Sequence, residues 1–276
     1  VRIPKTIKLS IGGAFSRSES GRSYPCHYFG SKKVYANICR ASRKDVRRAV
    51  EAAKGVSSQW ARLSAFNRSQ ILYRMAEMCE GKRNEFAELF RNLLGKNKTE
   101  ADLMVDQGID AFVYFAGFCD KFHQVIGTVN PVSGPHHNFT TAEPQGIIAF
   151  FSSDSFDFQR LIAGLASLLA GGNTFVALLG RGCPAVLAPL AEVFTTSDLP
   201  GGAANLLSGE MDELLAPLAE HMEVNGVSFQ NECADRFSKV SELAVENLKR
   251  IHKENLNPLS IDPILDFVEY KTVWHP

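Results

Sequence analysis

The sequence predicts an α/β fold, a doubly wound parallel sheet preceded by a block of helices and flanked by β arms. Two observations carry this. From Gly146 onward, short apolar runs alternate with amphipathic segments of helix length, the strand, helix, strand rhythm that builds a parallel sheet with right-handed crossovers. Before that point, four segments repeat apolar residues at three- and four-residue steps. A chain of 276 residues with 45% hydrophobic content can bury one substantial core with appendages, but not two full independent domains.

The elements follow in order. Alternation around Gly12 and Gly13 predicts a small N-terminal hairpin. Ser42 with Asp45 three residues on resembles a capping pair, and Val46, Ala49, Val50 and Ala53 then mark a first helical face. A second helix carries Ile71, Leu72, Met75, Ala76 and Cys79. A third carries Phe86, Leu89, Phe90, Leu93 and Leu94 and stops at Gly95, and a fourth spans Thr99 to Phe122. These stripes read as core. After a turn-rich stretch come a strand at Ile147 to Phe151, a helix at Phe156 to Ala170 stopped by Gly171 and Gly172, and a strand at Thr174 to Leu179. A helix at Pro184 to Val193, a strand at Ala203 to Leu207, a helix at Met211 to Glu220 and a strand at Val224 to Phe229 complete the sheet. A charged helical stretch follows at Ala234 to Lys253, and the terminal "ILDFVEYKTVWHP" has strand character.

Composition removes several function classes. Lysine plus arginine equals aspartate plus glutamate, 30 against 30, so no electrostatic footprint for nucleic acid or an anionic membrane exists. The longest nearly apolar run, Leu161 to Ala170, is about half of the roughly 20 residues needed to span a bilayer. No signal peptide pattern precedes the domain, and a first residue Val1 in place of Met points to a piece of a longer chain. The six cysteines are scattered, with neither a C-x-x-C pair nor histidine at metal-ligand spacing, and read as reduced thiols of a cytosolic protein. The sequons at Asn67, Asn97 and Asn138 carry little weight without a secretory signal.

The corner after the first strand of the sheet, Ser152, Ser153, Asp154 and Ser155, is where an α/β protein keeps its active site. A serine nucleophile there needs the flanking glycines of a G-x-S-x-G elbow, and they are missing. The corner reads instead as a cap, with Asp or Ser before Phe156 accepting from the first turn of the helix. His136 and His137 are adjacent, so on a strand they point to opposite faces and cannot jointly hold a metal.

The order of pieces resembles the aldehyde dehydrogenase superfamily. The matching phrases are "IGGAFSRSESGRSYP", "ASRKDVRRAVEAA", "WARLSAFNRSQILYRMAE", "EPQGIIAF", "LLAGGNTFVAL", "DLPGGAANLLSG" and "VNGVSF", in family order, and "EYKTVW" is similar to the family's last strand, which packs on a neighbouring subunit. The resemblance implies a Rossmann-like coenzyme-binding domain with N-terminal helices and β oligomerisation arms. The family's Pro-Trp-Asn motif, whose asparagine helps hold the oxyanion, falls on Ser153, Asp154 and Ser155 when counted from either Gly146 or Gly172. The lysine and glutamate that hold the adenosine ribose in the family correspond to Leu178 and Arg181. The Thr-Gly-Ser turn corresponds to Gln230, Asn231 and Glu232, three longer side chains expected to obstruct a pyrophosphate.

Only 47 residues, Gln230 to Pro276, follow the last matching strand, and neither Glu-Leu-Gly-Gly nor Gly-Gln-x-Cys occurs among them. Cys233, in "QNECA", falls one helix too early for the family nucleophile and reads as an ordinary cysteine near a helix start. This pattern is most similar to the second, C-terminal domain of aldehyde dehydrogenase family 16, which follows a complete first domain. The resemblance divides the chain into a degenerate coenzyme-binding domain at 1–123 and 144–233, oligomerisation strands at 124–143 and 262–276, and a helical remnant at 234–261 in place of the catalytic domain. It implies no catalytic residue, no metal and no NAD. The expected partners are the dehydrogenase domain of the same chain or a second subunit, met through Asn130 to Glu143 and Phe267 to His275. The alternative it leaves is a regulatory domain that still binds NAD.

Overall fold

The computed structural model describes residues 3–230, 232–253 and 257–276. Five short strands open the chain: β1 (Lys5–Ile7), β2 (Leu9–Ile11), β3 (Ala14–Ser16), β4 (Ser23–His27) and β5 (Val34–Cys39). Five helices follow, α1 (Arg43–Arg62), α2 (Ala65–Gly81), α3 (Arg83–Leu94), α4 (Lys98–Phe118) and α5 (Phe122–Ile126). Next come β6 (Thr128–Val129), β7 (His137–Pro144), β8 (Ile147–Phe151), α6 (Phe158–Ala170), β9 (Thr174–Leu179), α7 (Leu187–Thr195), β10 (Ala204–Ser208), α8 (Met211–Ala219) and β11 (Gly226–Phe229). The chain closes with α9 (Ala234–Ala244), β12 (Arg250–Lys253), α10 (Asp262–Leu265) and β13 (Val268–His275).

Local chemistry sets the helix starts. Ser42 and Asp45 form a full capping box on α1, and the buried Asp45 carboxylate also accepts from Ser18 Oγ at 2.7 Å, tying the first helix to the loop after β3. Asn97 and Glu100 do the same for α4, so this sequon asparagine serves as a helix cap. Gly12 and Gly13, at φ 63° and 78°, form the turn of the β2–β3 hairpin as the alternation predicts.

The central sheet has the order β12-β11-β8-β9-β10-β2-β3. Strands β8 to β12 are mutually parallel, and β2 and β3 extend the sheet as an antiparallel edge. Alternate residues face opposite layers, as period two requires. Ile148, Phe150, Phe175, Ala177 and Leu179 pack under α2, α3, α4, α6 and α7. Ile147, Ala149, Phe151, Val176 and Leu178 pack under α1, α8 and α9. A second sheet has the order β1-β5-β4 and a third β13-β7-β6.

Four expectations need correction. The fourth helix ends at Phe118 and a separate turn of helix begins at Phe122. Helix α6 begins at Phe158, two residues after the expected start. The segment 234–261 is not helical throughout: after α9 the chain forms β12, which pairs with β11 in parallel as the edge of the main sheet. The segments 124–143 and 262–276 supply strands that pair with each other, β13 against β7, but each also carries a short helix, in α5 and α10. His136 and His137 part as expected, His136 toward Trp274 and His137 toward Phe139. No helix among the described residues is long and apolar enough to cross a membrane.

Candidate functional site

The winding of the sheet reverses at β8. From it the chain moves to β9 and β10 on one side, then returns to β11 and β12 on the other. In open α/β sheets the ligand crevice lies outside the carboxyl ends of the strands at such a reversal. Here that corner is built by Ser152 to Asp157 after β8, Gly180 to Cys183 after β9, and Gln230 with Glu232 after β11.

The loops at this corner are fastened to each other. Gly180 N–H donates to the buried Ser152 Oγ at 2.7 Å. Arg181 N–H donates to Asp154 Oδ1 at 3.1 Å, and Arg236 Nη1 of α9 donates to Asp154 Oδ2 at 2.7 Å. Arg236 also reaches Asp212 at the start of α8, Nε to Oδ1 at 2.8 Å, and this hydrogen bond holds the Asp212 carboxyl below its ordinary range. Ser153 Oγ donates to Glu232, whose carboxylate stands 3.9 Å from Arg160. Gln230 Nε2 donates to the Arg160 carbonyl at 2.9 Å. The Arg181 guanidinium pairs with Glu210 and lies 4.8 Å over the Tyr24 ring.

Packing here is close enough to require glycine. A Cβ on Gly180 would lie 2.4 Å from the Ser153 carbonyl oxygen, and one on Gly182 would lie 2.3 Å from that of Asp154. The cavity left beneath Ser152, Ser155, Arg160 and Gly180 is about 10 Å³. That is room for about one water molecule.

The residues singled out in the sequence fall as follows. Ser153, Asp154 and Ser155 do converge on the corner, but none caps α6. The cap is Asp157, whose carboxylate accepts from Arg160 N–H at 3.0 Å, which corrects the expected position by two residues. Asp154 instead staples the β9 loop to α9. Leu178 is fully buried in the layer under α1, and its backbone carbonyl accepts from the Ser152 N–H at 3.1 Å. Arg181, Gln230 and Glu232 turn their side chains to partners in the same chain. Asn231 lies outside the described residues. Cys233 is exposed at the start of α9 and makes no side-chain cap. Beneath the corner, burial pushes the Cys183 thiol well above its ordinary range, which disfavours its thiolate. Among the described residues, no three potential metal ligands come together.

Sequence reasoning missed Arg236. It joins three of the corner's elements, yet nothing local marks it, since its partner Asp154 is 82 residues away.

The second feature is the terminal strand. β13 pairs with β7 over eight register positions, from Val268 opposite Pro144 to His275 opposite His137. Its root is anchored, with Phe267 and Val268 buried. Its distal part carries Tyr270, Val273 and Trp274 exposed, and among the described residues its outer edge has no neighbouring strand. A three-stranded sheet with an open edge and exposed aromatic residues is a surface suited to strand addition.

Comparison with known proteins agrees with the fold. The model of the aldehyde dehydrogenase family matches residues 15–255. A mitochondrial benzaldehyde dehydrogenase of Antirrhinum majus is 29% identical over 258 residues, 92% of this chain and 46% of that protein. An NAD+ complex of an aldehyde dehydrogenase from Bacillus cereus superposes with a TM-score of 0.84 at 25% identity, covering 91% of this chain and 51% of that one. An NAD-dependent benzaldehyde dehydrogenase from Corynebacterium glutamicum gives 0.81 at 27% identity, over 90% and 54% of the two chains. The chain thus spans about half the length of the relatives it matches. With its reversed parallel sheet, its glycine-closed corner and this match over most of its length, the chain belongs to the aldehyde dehydrogenase family.

Proposed function

We propose that this chain is a non-catalytic member of the family whose role is assembly. The observation that carries the reading is the corner at the sheet reversal, filled by the chain's own side chains. A cavity of about 10 Å³ stands where small-molecule sites run to roughly 300 Å³ or more. The groups around it do not fit a dinucleotide. Leu178 offers no hydrogen bond to a ribose, and Asp154, Glu232 and Glu210 set carboxylates where a pyrophosphate needs donors.

The β13–β7 arm supplies the assembly surface. Its partner is a second subunit or a complete dehydrogenase domain in the same protein, the arrangement of the C-terminal domain of aldehyde dehydrogenase family 16. All six cysteines are free, which supports a reducing, cytosolic setting.

The test is a thermal titration with NAD+. A ligand that binds the native state must raise its melting temperature, so the reading expects no rise at millimolar NAD+. A saturable rise would favour instead the regulatory reading, which the NAD+ complex of the Bacillus cereus relative motivates. For assembly, replacing Tyr270, Val273 and Trp274 together by lysine leaves the core untouched and is expected to lower the oligomeric state in light scattering. An unchanged mass would remove the arm from the assembly.

A further inference from the structure

A groove of about 550 Å³ lies between two open strand edges and shares no lining residue with the cavity at the corner. One wall is β1, the end strand of the β1-β5-β4 sheet, and the other carries Phe15 of β3, the end strand of the central sheet. The chain crosses from one sheet to the other at Lys8, the single residue between β1 and β2. Both edges therefore face one space, and the backbone bonds of β1 and β3 among the described residues lie on their ladder sides only. The floor is apolar, from Ile7, Leu89 and Pro189.

The rim is charged unevenly. Glu85 and Glu192 are both engaged by Lys82. Lys5 and Lys8 are exposed and in no ion pair among the described residues. A strand edge with unspent amides and carbonyls takes an extended polypeptide, an apolar floor takes alternate side chains, and lysines at the rim take carboxylates. A second copy of this chain would set these lysines against their equals, which guards the edge against self-pairing.

We propose that this groove is a docking site for an extended, acidic and aliphatic segment of a partner protein, added as a strand at β1 and β3. The site is separate from the β13 arm and from the corner, and it stands whatever those do.

The test uses the intact chain and three synthetic peptides with blocked ends: Asp-Val-Glu-Val-Asp-Val-Glu, the same peptide with lysine in place of each acid, and the acidic peptide with proline at its centre. Binding is read from amide shifts in the nitrogen-labelled protein. The acidic peptide is expected to shift amides of β1 and β3 and to bind roughly tenfold tighter than the lysine peptide, less so at high salt. Proline at the centre should abolish binding, because it removes a ladder donor. The Lys5→Glu, Lys8→Glu double variant, changed only at exposed positions, should reverse the preference. The proposal is overturned if no peptide binds at millimolar concentration, if both charge types bind alike, if the proline peptide binds as well as its parent, or if the shifts map elsewhere. Shifts at β1 and β3 that follow protein concentration without peptide would mark self-association and overturn it equally.

Discussion

The Asn173 carboxamide donates from Nδ2 to the carbonyl of Phe267, 94 residues further on, at 2.9 Å. Through Oδ1 it accepts from Gly146 N–H at 2.8 Å. One fully buried side chain thus fixes both the start of β8 and the root of β13. Replacing Asn173 by alanine leaves the partly buried Gly146 N–H without that acceptor and leaves the Phe267 carbonyl with only the Gln145 N–H, at 3.1 Å, a change worth roughly 1–3 kcal/mol. A loss of about 1–3 kcal/mol in urea unfolding is expected, with faster hydrogen exchange in β13 than in β9. Equal exchange in the two strands would refute the anchoring.

The fastened corner makes its own prediction. Gly180→Ala drives a Cβ against a backbone oxygen that cannot yield, and overpacking of this kind costs roughly 1–3 kcal/mol. Ser152→Ala leaves the Gly180 N–H without that acceptor and should cost a similar amount, about 1–3 kcal/mol. Chemical denaturation measures both. Changes below about 0.5 kcal/mol, the range of ordinary surface substitutions, would mean the corner is not closed in solution.

Ser155 is exposed, so Ser155→Asn should leave stability within about 0.5 kcal/mol. Restoring the asparagine should still give no NADH from benzaldehyde and NAD+, because neither space nor ribose partners return with it. Turnover above the buffer rate, read at the NADH absorbance, would contradict the non-catalytic reading.

Thiol chemistry should separate the cysteines. Cys233 is exposed, whereas burial pushes the Cys79 and Cys119 thiols up to about 12. One fast equivalent is expected with a disulfide reagent at neutral pH, mapped to Cys233 by mass spectrometry. Fast labelling of Cys79 or Cys119 would show that the helical layer opens.

The Arg236 bridge should weaken in acid. Its hydrogen bond lowers the Asp212 pKa from the ordinary 3.8, so the folded state binds the proton less tightly than the unfolded chain. The stabilisation is complete above the ordinary value and is lost as pH falls through the depressed one. The gap in melting temperature between the parent and Arg236→Met is therefore expected to be constant from about pH 7 to 5 and to narrow below about pH 4. A gap that widens toward acid would give the opposite sign and exclude the bridge.

The sequence made the sheet legible because its parallel strands are apolar on both faces, and the paired glycines that bracket them allowed Ser155 and Leu178 to be placed by counting. It misplaced the α6 cap because five of the six residues before Phe158 are serine or aspartate, all cap formers, and only the geometry selects Asp157. It missed β12 because "RIHK" has one aliphatic residue and follows a charged helix, so only pairing with β11 makes it a strand. Arg236 stayed hidden for another reason: the worth of an ion pair lies in distance, which chain order does not carry.

The ladder between β13 and β7 has a mechanical side. A partner that grips the outer edge of β13 and pulls toward its C-terminus loads the eight register positions in shear, so that the ladder yields as one body. The force passes through Phe267 to Asn173 and on to Gly146, the residue just before the sheet's pivotal strand. A protein held by this arm is therefore held by its core, and tension on the assembly is felt first at the root of β8.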